Sequence, residues 1–294
     1  MIVIPELWHP VREFGDRRID FGRRIAVMAI VNRTPDSFFD RGATFALDRA
    51  IDAALLAARQ GADWVDIGGA KFAPGPEIPA EEELDRVLPV VAAVAGQNAA
   101  VLSVDTFRAS VAEACIAAGA RVINDTTGLS DPELAPMIAA TDASLVITHS
   151  LAAPRTAHPR PHYDDVVTEV RAALERRVQA AVDAGVDERR LLIDPGHDLN
   201  KTTRHSLELT RRFDEIASIG LPALAAVSNK DFVGESLGAA KDARLEGSLV
   251  AATTCALLGA RVVRMHDVPA SVAAMRMLET ILGFRDPVLA VHNV

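Results

Sequence analysis

The sequence predicts a single (β/α)8 barrel. Short apolar runs rich in Val and Ile alternate with longer segments whose apolar residues recur three and four positions apart. The first pattern is typical of buried parallel strands and the second of helices that cover them. Eight such pairs fit the 294 residues, because barrels of about 250 residues form one domain. A doubly wound open sheet is the alternative, but no glycine-rich dinucleotide-binding loop follows a predicted strand.

The repeat divides the chain into three parts. Residues 25–284 form the predicted barrel, residues 1–24 an N-terminal extension and residues 285–294 a C-terminal tail. The extension either plugs or pads the bottom of the barrel, and the sequence leaves both arrangements open.

Each predicted strand ends in polar residues, and the helices have recognisable boundaries. One helix spans Phe45–Gln60 and stops at Gly61, another opens at the acidic run Glu81–Glu83, and later ones span Asp164–Ala184 and Ala270–Leu282. The predicted strands are Ile25–Val31, Trp64–Ile67, Ala100–Val104, Arg121–Ile123, Ser144–Ile147, Leu191–Ile193, Ala223–Val227 and Arg261–Val263.

Composition narrows the class of protein. A formal net charge of -9 disfavours nonspecific binding to nucleic acid. No apolar run approaches the roughly 20 residues that span a bilayer, and the N-terminus lacks the pattern of a secretory signal. We therefore expect a cytoplasmic protein without a membrane partner. Cys115 and Cys255 lie in helix-like runs of small apolar residues and are interpreted as buried thiols.

Polar side chains follow nearly every predicted strand. Because the carboxyl ends of barrel strands converge on one face, these side chains should share one mouth. Capping and turn formation explain each of them singly, but together they are costly to bury without a ligand. The set is Asn32, Asp66, Asp105, Asn124, Asp194, Lys230, Arg264 and His266.

The chemistry of this set is mixed. Asp105, Asn124 and Asp194 offer acceptors for the N–H edge of a flat heterocycle, since a carboxylate accepts two parallel hydrogen bonds. Other strand ends carry donors suited to a phosphate. A heterocycle joined to a phosphate-bearing group matches both kinds. The donors are Lys230, Arg264 and His266.

Seven short motifs, taken in chain order, resemble those of the dihydropteroate synthase family. The resemblance extends from about residue 24 to residue 284, and the set is far more specific than any single motif. The motifs are Asn32-Arg33-Thr34-Pro35-Asp36-Ser37-Phe38, Val65-Asp66-Ile67-Gly68-Gly69, Ser103-Val104-Asp105-Thr106, Ile123-Asn124-Asp125, Asp194-Pro195-Gly196, Ser228-Asn229-Lys230 and Arg264-Met265-His266-Asp267.

The resemblance implies a transferase of folate biosynthesis with a (β/α)8 fold. The family joins 6-hydroxymethyl-7,8-dihydropterin pyrophosphate to p-aminobenzoate, and sulfonamides and sulfones mimic the second substrate. It also implies a homodimer and two loops, around Thr34–Gly42 and Ala70–Gly75, that close over the site. By the same resemblance, the pterin-binding positions are Asp105, Asn124, Asp194 and Lys230. The pyrophosphate-binding positions are Asn32, Arg264 and His266, with Asn32 also at the Mg2+ cofactor.

This chain departs from the family pattern at several positions. In the second loop, Ala73 stands where the family has an arginine. After the sixth strand, Asp198 and Asn200 replace glycines, and Asn229 replaces an arginine after the seventh. Losing one charge-assisted contact costs roughly 1.5–3 kcal/mol. The full set of departures is Ala70, Lys71, Phe72, Ala73, Thr148, Asp198, Leu199, Asn200 and Asn229.

These departures predict a pterin-binding homologue with weak or no synthase activity. One alternative is a fully active dihydropteroate synthase that uses substitute loop residues. Another is a pterin-dependent methyltransferase domain, although the Ser-x-Lys element at 228–230 and the Arg-x-His-Asp element at 264–267 favour the synthase branch. A barrel without a ligand is the remaining alternative.

Two further features have more than one interpretation. His149, His158 and His162 could suggest a metal, but their spacing fits no standard site, and we interpret them as surface residues of a proline-rich loop. One face of a late helix belongs either to the core or to a dimer interface. That face is Leu249, Ala252, Thr253, Ala256 and Leu257.

Overall fold

A closed barrel of parallel strands organises the chain in the computed structural model, which describes residues 4–33, 46–70, 72, 74–97, 99–152, 155–156 and 160–292. An antiparallel hairpin, β1 (Val11–Phe14) and β2 (Arg17–Asp20), precedes it. The barrel strands are β3 (Ala26–Asn32), β4 (Trp64–Gly68), β5 (Val101–Asp105), β6 (Val122–Asp125), β7 (Ser144–Thr148), β8 (Leu191–Asp194), β9 (Ala223–Ala225) and β10 (Ala260–Met265).

The predicted (β/α)8 barrel is confirmed. Each barrel strand pairs in parallel with its neighbours in the sequence, and β10 closes the barrel by pairing with β3. The predicted strand bounds are correct to within two residues; β9 ends two residues earlier than predicted and β10 two residues later. This order brings all the carboxyl ends of the strands to one face.

Helices cover the outside of the barrel. Residue Asp165 begins the long helix after β7, where its side chain accepts the N–H of Thr168, as expected of an N-cap. Short helices after β8 and β9 were not predicted, because segments of five to nine residues carry little periodicity. The helices are α1 (Leu47–Arg59), α2 (Ala80–Ala95), α3 (Ala109–Ala117), α4 (Leu134–Ala139), α5 (Val166–Asp183), α6 (Thr203–Arg211), α7 (Phe213–Ala217), α8 (Asp231–Leu237), α9 (Leu245–Leu257) and α10 (Val268–Ile281).

The strand side chains alternate between two apolar layers. On β7, Leu145 and Ile147 pack outward against the helices, whereas Val146 belongs to the cluster inside the barrel. Burial of each such side chain stabilises the fold by about 1.5–3 kcal/mol. The alternation therefore also decides which polar residues at the strand ends point into the mouth.

The N-terminal hairpin plugs the bottom of the barrel. Phe14 and Phe21 are buried in the interior cluster and pack edge-on against Trp64 of β4, with ring centroids 4.9 and 6.4 Å from the indole. Gly15 makes the hairpin turn at φ +60°, a conformation that glycine adopts without strain. Of the two arrangements that the sequence left open, the structure has the plug.

Two other observations concern the chain as a whole. No helix in the described ranges is long and apolar enough to cross a membrane. Cys115 and Cys255 are free and buried, as predicted.

Candidate functional site at the barrel mouth

A cavity of about 820 Å3 opens at the carboxyl ends of the barrel strands. Its volume lies within the range of small-molecule sites, roughly 300–1,000 Å3. Seven of the predicted strand-end residues line it, so the structure brings together side chains up to 234 positions apart, from residue 32 to residue 266. They are Asn32, Asp105, Asn124, Asp194, Lys230, Arg264 and His266.

Asp66, the eighth predicted residue, lies beneath this cavity and organises its floor. The side chain is fully buried and accepts hydrogen bonds from Ser103 Oγ at 2.6 Å, Asn124 Nδ2 at 3.1 Å and Arg264 Nε at 2.7 Å. Because a buried carboxylate is costly unless paired, this network holds Arg264 and Asn124 in place. Asp66 therefore acts on the cavity through its neighbours.

The pair Asp105–Arg264 forms one wall. Arg264 Nη2 donates to Asp105 Oδ2 at 3.1 Å, so the guanidinium bridges two carboxylates. Burial is the main cause that raises the pKa of Asp105 to about 7; Arg264 opposes the rise, and the neighbouring Asp66 adds to it. Asp105 therefore ionises near neutral pH, where its charge state decides which ligand edge it accepts.

Asn124 and Asp194 present acceptors to the cavity. The amide of Asn124 is fixed by its Nδ2 bond to Asp66, and its Oδ1 is buried without a hydrogen-bond partner in the described residues. Asp194 Oδ1 accepts the N–H of Gly196 at 2.7 Å, which fixes the orientation of this carboxylate. Burial raises the pKa of Asp194 as well. An unpaired buried carbonyl beside two carboxylates is an arrangement that a ligand with several N–H groups would complete.

Lys230 and His266 lie on the other side of the mouth. Lys230 Nζ donates to the His197 carbonyl at 2.9 Å, and burial lowers the pKa of Lys230 although Asp198 and Asp194 lie near. Ser228 Oγ lies 2.9 Å from His266 Nδ1 and accepts the backbone N–H of His266 at 3.1 Å. The seventh and eighth strand ends are thus joined through Ser228.

The loop after β8 contains two residues in the left-handed region, Asp198 at φ +63° and Asn200 at φ +52°. The sequence predicted only that replacing glycines here changes the backbone options, whereas the structure gives both side chains partners. Asp198 Oδ2 accepts the N–H groups of Asp231 at 2.6 Å and Phe232 at 3.3 Å, at the start of α8. These bonds compensate part of the strain of a left-handed residue.

Asn200 joins the same loop to the one after β7. Its Oδ1 accepts the N–H groups of Leu151 and Ala152, both at 3.0 Å. Leu199, between the two left-handed residues, lines the cavity. The substituted loop is therefore fixed by contacts inside the chain at both of its ends.

The interpretation of His149 as a surface residue is wrong, because its side chain is only 3% exposed. Lys201 Nζ lies 3.0 Å from His149 Nδ1 and donates to the carbonyls of His149 and Leu199 at 3.2 and 3.1 Å. Lys201 lies seven residues after the end of β8 and 52 residues from His149 in the sequence, so no local sequence pattern indicated this contact. His162 is exposed as predicted, and His158 lies outside the described residues.

The second predicted loop is described only in part. Ala70 and Phe72 line the cavity, whereas Lys71 and Ala73 lie outside the described residues, as does the whole loop at Thr34–Gly42. Phe72 O accepts the N–H of Arg155, whose Nε donates to Pro76 O at 3.0 Å. Arg155 therefore ties the loop after β7 to the loop after β4, a contact that the sequence did not predict.

The structure also describes two other positions at which the chain departs from the family pattern. Asn229 adopts φ +55°, and its carbonyl accepts Arg244 Nη1 at 2.9 Å. An arginine side chain at position 229 would have to adopt that left-handed conformation, at a cost of about 1–2 kcal/mol. Thr148 ends β7, where its side chain is fully buried.

The oxygen atoms at the cavity decide whether a metal ion fits there. The described residues contain no group of three or more His, Cys, Asp or Glu side chains that could hold one. Asn32, at the end of β3, supplies an amide oxygen, Oδ1. A Cβ atom at position 68 would lie 3.0 Å from that oxygen, so the glycine at this position leaves it room. Mg2+ commonly takes one or two protein oxygens and completes its shell with substrate phosphates and water. The residues present thus fit Mg2+ that arrives with a phosphorylated ligand.

The fold and the site together define a TIM-barrel protein whose mouth combines buried hydrogen-bond acceptors with cationic side chains. A family model described as "Pterin binding enzyme" matches residues 28–266, and the chain belongs to this family.

Named relatives lie within the dihydropteroate synthases. Inactive dihydropteroate synthase 2 of Mycobacterium tuberculosis is 44% identical over 283 residues, which are 93% of this chain and 88% of that protein. Dihydropteroate synthase of Escherichia coli is 37% identical over 261 residues, 88% of this chain and 93% of that protein. Among solved structures, Xanthomonas albilineans dihydropteroate synthase with 4-aminobenzoic acid superposes with a TM-score of 0.86 at 39% identity, covering 93% of this chain and 98% of that one.

Proposed function

We propose that this protein is a dihydropteroate synthase homologue that binds the pterin substrate and has weak or no synthase activity. The proposal is carried by a contrast within one cavity. We call Asp105, Asn124 and Asp194 the pterin end, and residues His197–Lys201 with Asn229 the loop end. Among the described residues, Asn124 Oδ1 at the pterin end is buried without a hydrogen-bond partner, whereas the side-chain oxygens of Asp198 and Asn200 at the loop end are bonded within the chain.

Retention of pterin binding follows from the acceptors at the pterin end. A pterin carries adjacent ring and amino N–H groups, and a carboxylate accepts two such bonds in parallel. Asp194 is held in orientation by Gly196, and Asn124 by Asp66, so little ordering is needed when the ligand binds. Lys230 adds a donor at the edge of this end.

Impaired catalysis follows from the loop end. The synthase reaction needs the departing pyrophosphate stabilised and the amine of p-aminobenzoate positioned. Asp198 places a carboxylate at the cavity wall, where it opposes the approach of any anion, and Asn229 replaces a cationic residue of the family pattern. The Mycobacterium tuberculosis relative bears the name inactive dihydropteroate synthase 2, which agrees with this proposal.

The anionic part of the substrate would lie beside Asn32, Arg264 and His266. We propose that Mg2+ binds there through the Asn32 amide oxygen together with the pyrophosphate, whose charge it neutralises when bound. Arg264 is held by Asp66 and Asp105, so its guanidinium stays within the cavity wall in the absence of ligand.

The second ligand would be p-aminobenzoate or an analogue such as a sulfonamide or sulfone. The related structure from Xanthomonas albilineans contains 4-aminobenzoic acid. In this chain the cavity lining includes Phe72, Leu199 and Pro161, which offer apolar contacts to an aromatic ring. We propose that binding here is weak, because Asp198 repels the carboxylate.

A homodimer is also proposed. The helix face that the sequence left open belongs to the core, since Ala252 and Ala256 are fully buried. The exposed apolar side chains lie elsewhere on α9 and α10, at Val250, Met277 and Ile281, which are 59–67% exposed. Sedimentation velocity of the wild type and of Val250→Asp with Ile281→Asp tests this; a single monomeric species for both excludes the dimer.

The decisive experiment compares binding with turnover. Purified protein is titrated calorimetrically with 6-hydroxymethyl-7,8-dihydropterin pyrophosphate and Mg2+, and the same sample is assayed with p-aminobenzoate, beside the Escherichia coli enzyme. We expect heat of binding at micromolar ligand and turnover at least about a hundredfold below the reference. Turnover within about tenfold of the reference identifies an active synthase that uses substitute loop residues. No binding heat at millimolar pterin overturns the proposal.

A further inference from the structure

A second cavity lies apart from the one at the barrel mouth, between α5 and the loops after β6 and β7. Its volume is about 570 Å3, within the range of small-molecule sites. Within the described part of the chain, the two cavities have no lining residue in common. One wall of the second cavity is a single face of α5, since its residues are spaced three and four positions apart. They are Glu169, Ala172, Ala173, Arg176, Arg177 and Ala180.

Arg177 is held in this wall by the backbone of the loop after β7. Its Nη1 donates to the carbonyl of Thr148 at 2.9 Å, and its Nη2 donates to the carbonyl of Ser150 at 3.0 Å. A guanidinium carries five N–H groups, so three remain for another partner. Because the group is already fixed in place, little side-chain entropy is lost when it binds a ligand.

The buried ring of His149 lines the same cavity. Burial and the charge of Lys201 lower the pKa of His149 to about 2, so the ring is neutral. The ammonium of Lys201 donates to Nδ1 at 3.0 Å, which places the ring hydrogen on Nε2. The two ring nitrogens point in diverging directions, so this N–H is aimed away from Lys201, and it has no hydrogen-bond partner among the described residues. A buried donor without a partner is rare and is accounted for by a ligand.

The charged side chains of the second cavity favour an anion. Arg176, on the exposed surface of α5, adds a second cation beside Arg177. Glu169 is the one acidic side chain among the described lining residues. Its Oε1 accepts the backbone N–H groups of Asp164 at 2.7 Å and Asp165 at 3.2 Å, so that oxygen is already bonded at the start of the helix.

We propose that the second cavity binds a small organic oxyanion, a carboxylate or a phosphate ester, through Arg176, Arg177 and the Nε2–H of His149. Guanidinium groups suit the oxygens of both kinds of headgroup. The volume exceeds that of an inorganic ion, and Leu129 and Leu151 with the alanines of α5 offer apolar contacts to an organic group. None of these residues takes part in the proposed pterin binding, so the inference does not depend on the proposed function.

The test is calorimetric titration at fixed ionic strength with phenyl phosphate, benzoate, inorganic phosphate and the neutral benzyl alcohol. We expect phenyl phosphate or benzoate to bind with a Kd at or below about 1 mM, and the tighter of the two identifies the preferred headgroup. Inorganic phosphate should bind at least about fivefold more weakly, and benzyl alcohol at least about tenfold more weakly.

Three variants locate the binding. His149→Asn keeps an acceptor for Lys201 but removes the Nε2–H, and should weaken binding about five- to tenfold. Arg176→Gln should weaken it about three- to fivefold, and because this side chain is exposed the variant tests the proposal even if His149→Asn does not fold. Arg171→Gln is the control, since it removes the same charge from α5 outside the cavity and should bind within about twofold of wild type.

Unchanged affinity in Arg176→Gln shows that the anion binds elsewhere and overturns the proposal. An equal loss in Arg171→Gln and Arg176→Gln assigns the effect to the net charge of the helix and also overturns it. So does benzyl alcohol that binds as tightly as the anions, because the cavity is then an apolar site. Inorganic phosphate that binds as tightly as phenyl phosphate excludes the organic part of the ligand. The absence of binding heat for both organic anions at 10 mM, about tenfold above the expected Kd, overturns the proposal outright.

Discussion

The pterin end and the loop end of the cavity differ in what their polar atoms are bonded to. At the pterin end, Asn124 Oδ1 is buried and unpaired within the described residues. At the loop end, Asp198 caps the start of α8 and Asn200 binds the loop after β7. The pterin end therefore leaves an acceptor open to a ligand, whereas Asp198 and Asn200 of the loop end already have partners within the chain. A barrel can lose a binding contact without losing stability when the replacing side chain finds a partner in the chain.

The largest expected effect is on the free energy of unfolding, and it distinguishes Asp66 beneath the cavity from Asp198 at its edge. Asp66→Ala removes a carboxylate that pairs with Arg264 inside the barrel, so we expect a loss of about 3–5 kcal/mol in the free energy of unfolding. Asp198→Gly removes a carboxylate at the rim but relieves the φ of +63°, so the two effects should cancel to within about 1 kcal/mol. Urea denaturation of both variants measures the difference. Equal losses would show that the two carboxylates are equally structural.

A second prediction concerns affinity at the two ends. Asp194→Asn should weaken binding of the pterin pyrophosphate about ten- to a hundredfold, because a charge-assisted pair of hydrogen bonds is lost. Asp198→Asn, the matched change at the loop end, should leave that affinity within about threefold. Calorimetric titration compares them. A larger loss of affinity in Asp198→Asn would show that the pterin binds at the loop end and would contradict the prediction.

The pH dependence of pterin binding tests Asp105. Its pKa is raised to about 7, so the group is protonated below that pH and ionised above it. Only the ionised form accepts two N–H groups, and affinity should therefore rise about tenfold between about pH 6 and pH 8. In Asp105→Asn this rise should disappear and affinity should be low throughout. An affinity that falls over the same interval contradicts the role of Asp105 as an ionised acceptor.

The smallest effect is expected at the loop end. Asp198→Gly frees the N–H groups of Asp231 and Phe232 and removes one negative charge, so p-aminobenzoate should bind about fivefold more tightly to protein saturated with pterin and pyrophosphate. Asn200→Gly alters the same loop without changing charge and serves as the control. Binding that does not differ between the two variants would exclude charge at position 198 as the cause of weak binding.

The sequence predicted the barrel because its signal is repeated along the whole chain. Strands such as Ser144–Thr148 are marked by local apolar runs, and polar residues at their ends converge whenever the strands are parallel. The seven cavity-lining residues could be named for that reason.

Contacts between loops could not be predicted in the same way. The partners of Asn200 lie 48 and 49 residues away, at Ala152 and Leu151, and no periodicity connects them. His149 likewise contacts Lys201, which lies 52 residues away in the sequence. Its burial could not be inferred from its proline-rich surroundings, so it was assigned to the surface. Such pairings are set by the tertiary structure that the strands create.

The aromatic plug also makes the barrel observable from within. The chain has two tryptophans, of which Trp64 is fully buried against Phe14 and Phe21, while Trp8 is 56% exposed. Fluorescence of Trp64 should therefore be blue-shifted in the native protein and should move to the red only when the hairpin leaves the bottom of the barrel. A Trp8→Phe variant would isolate that emission, so that undocking of the hairpin and unfolding of the strands can be timed separately in one stopped-flow experiment.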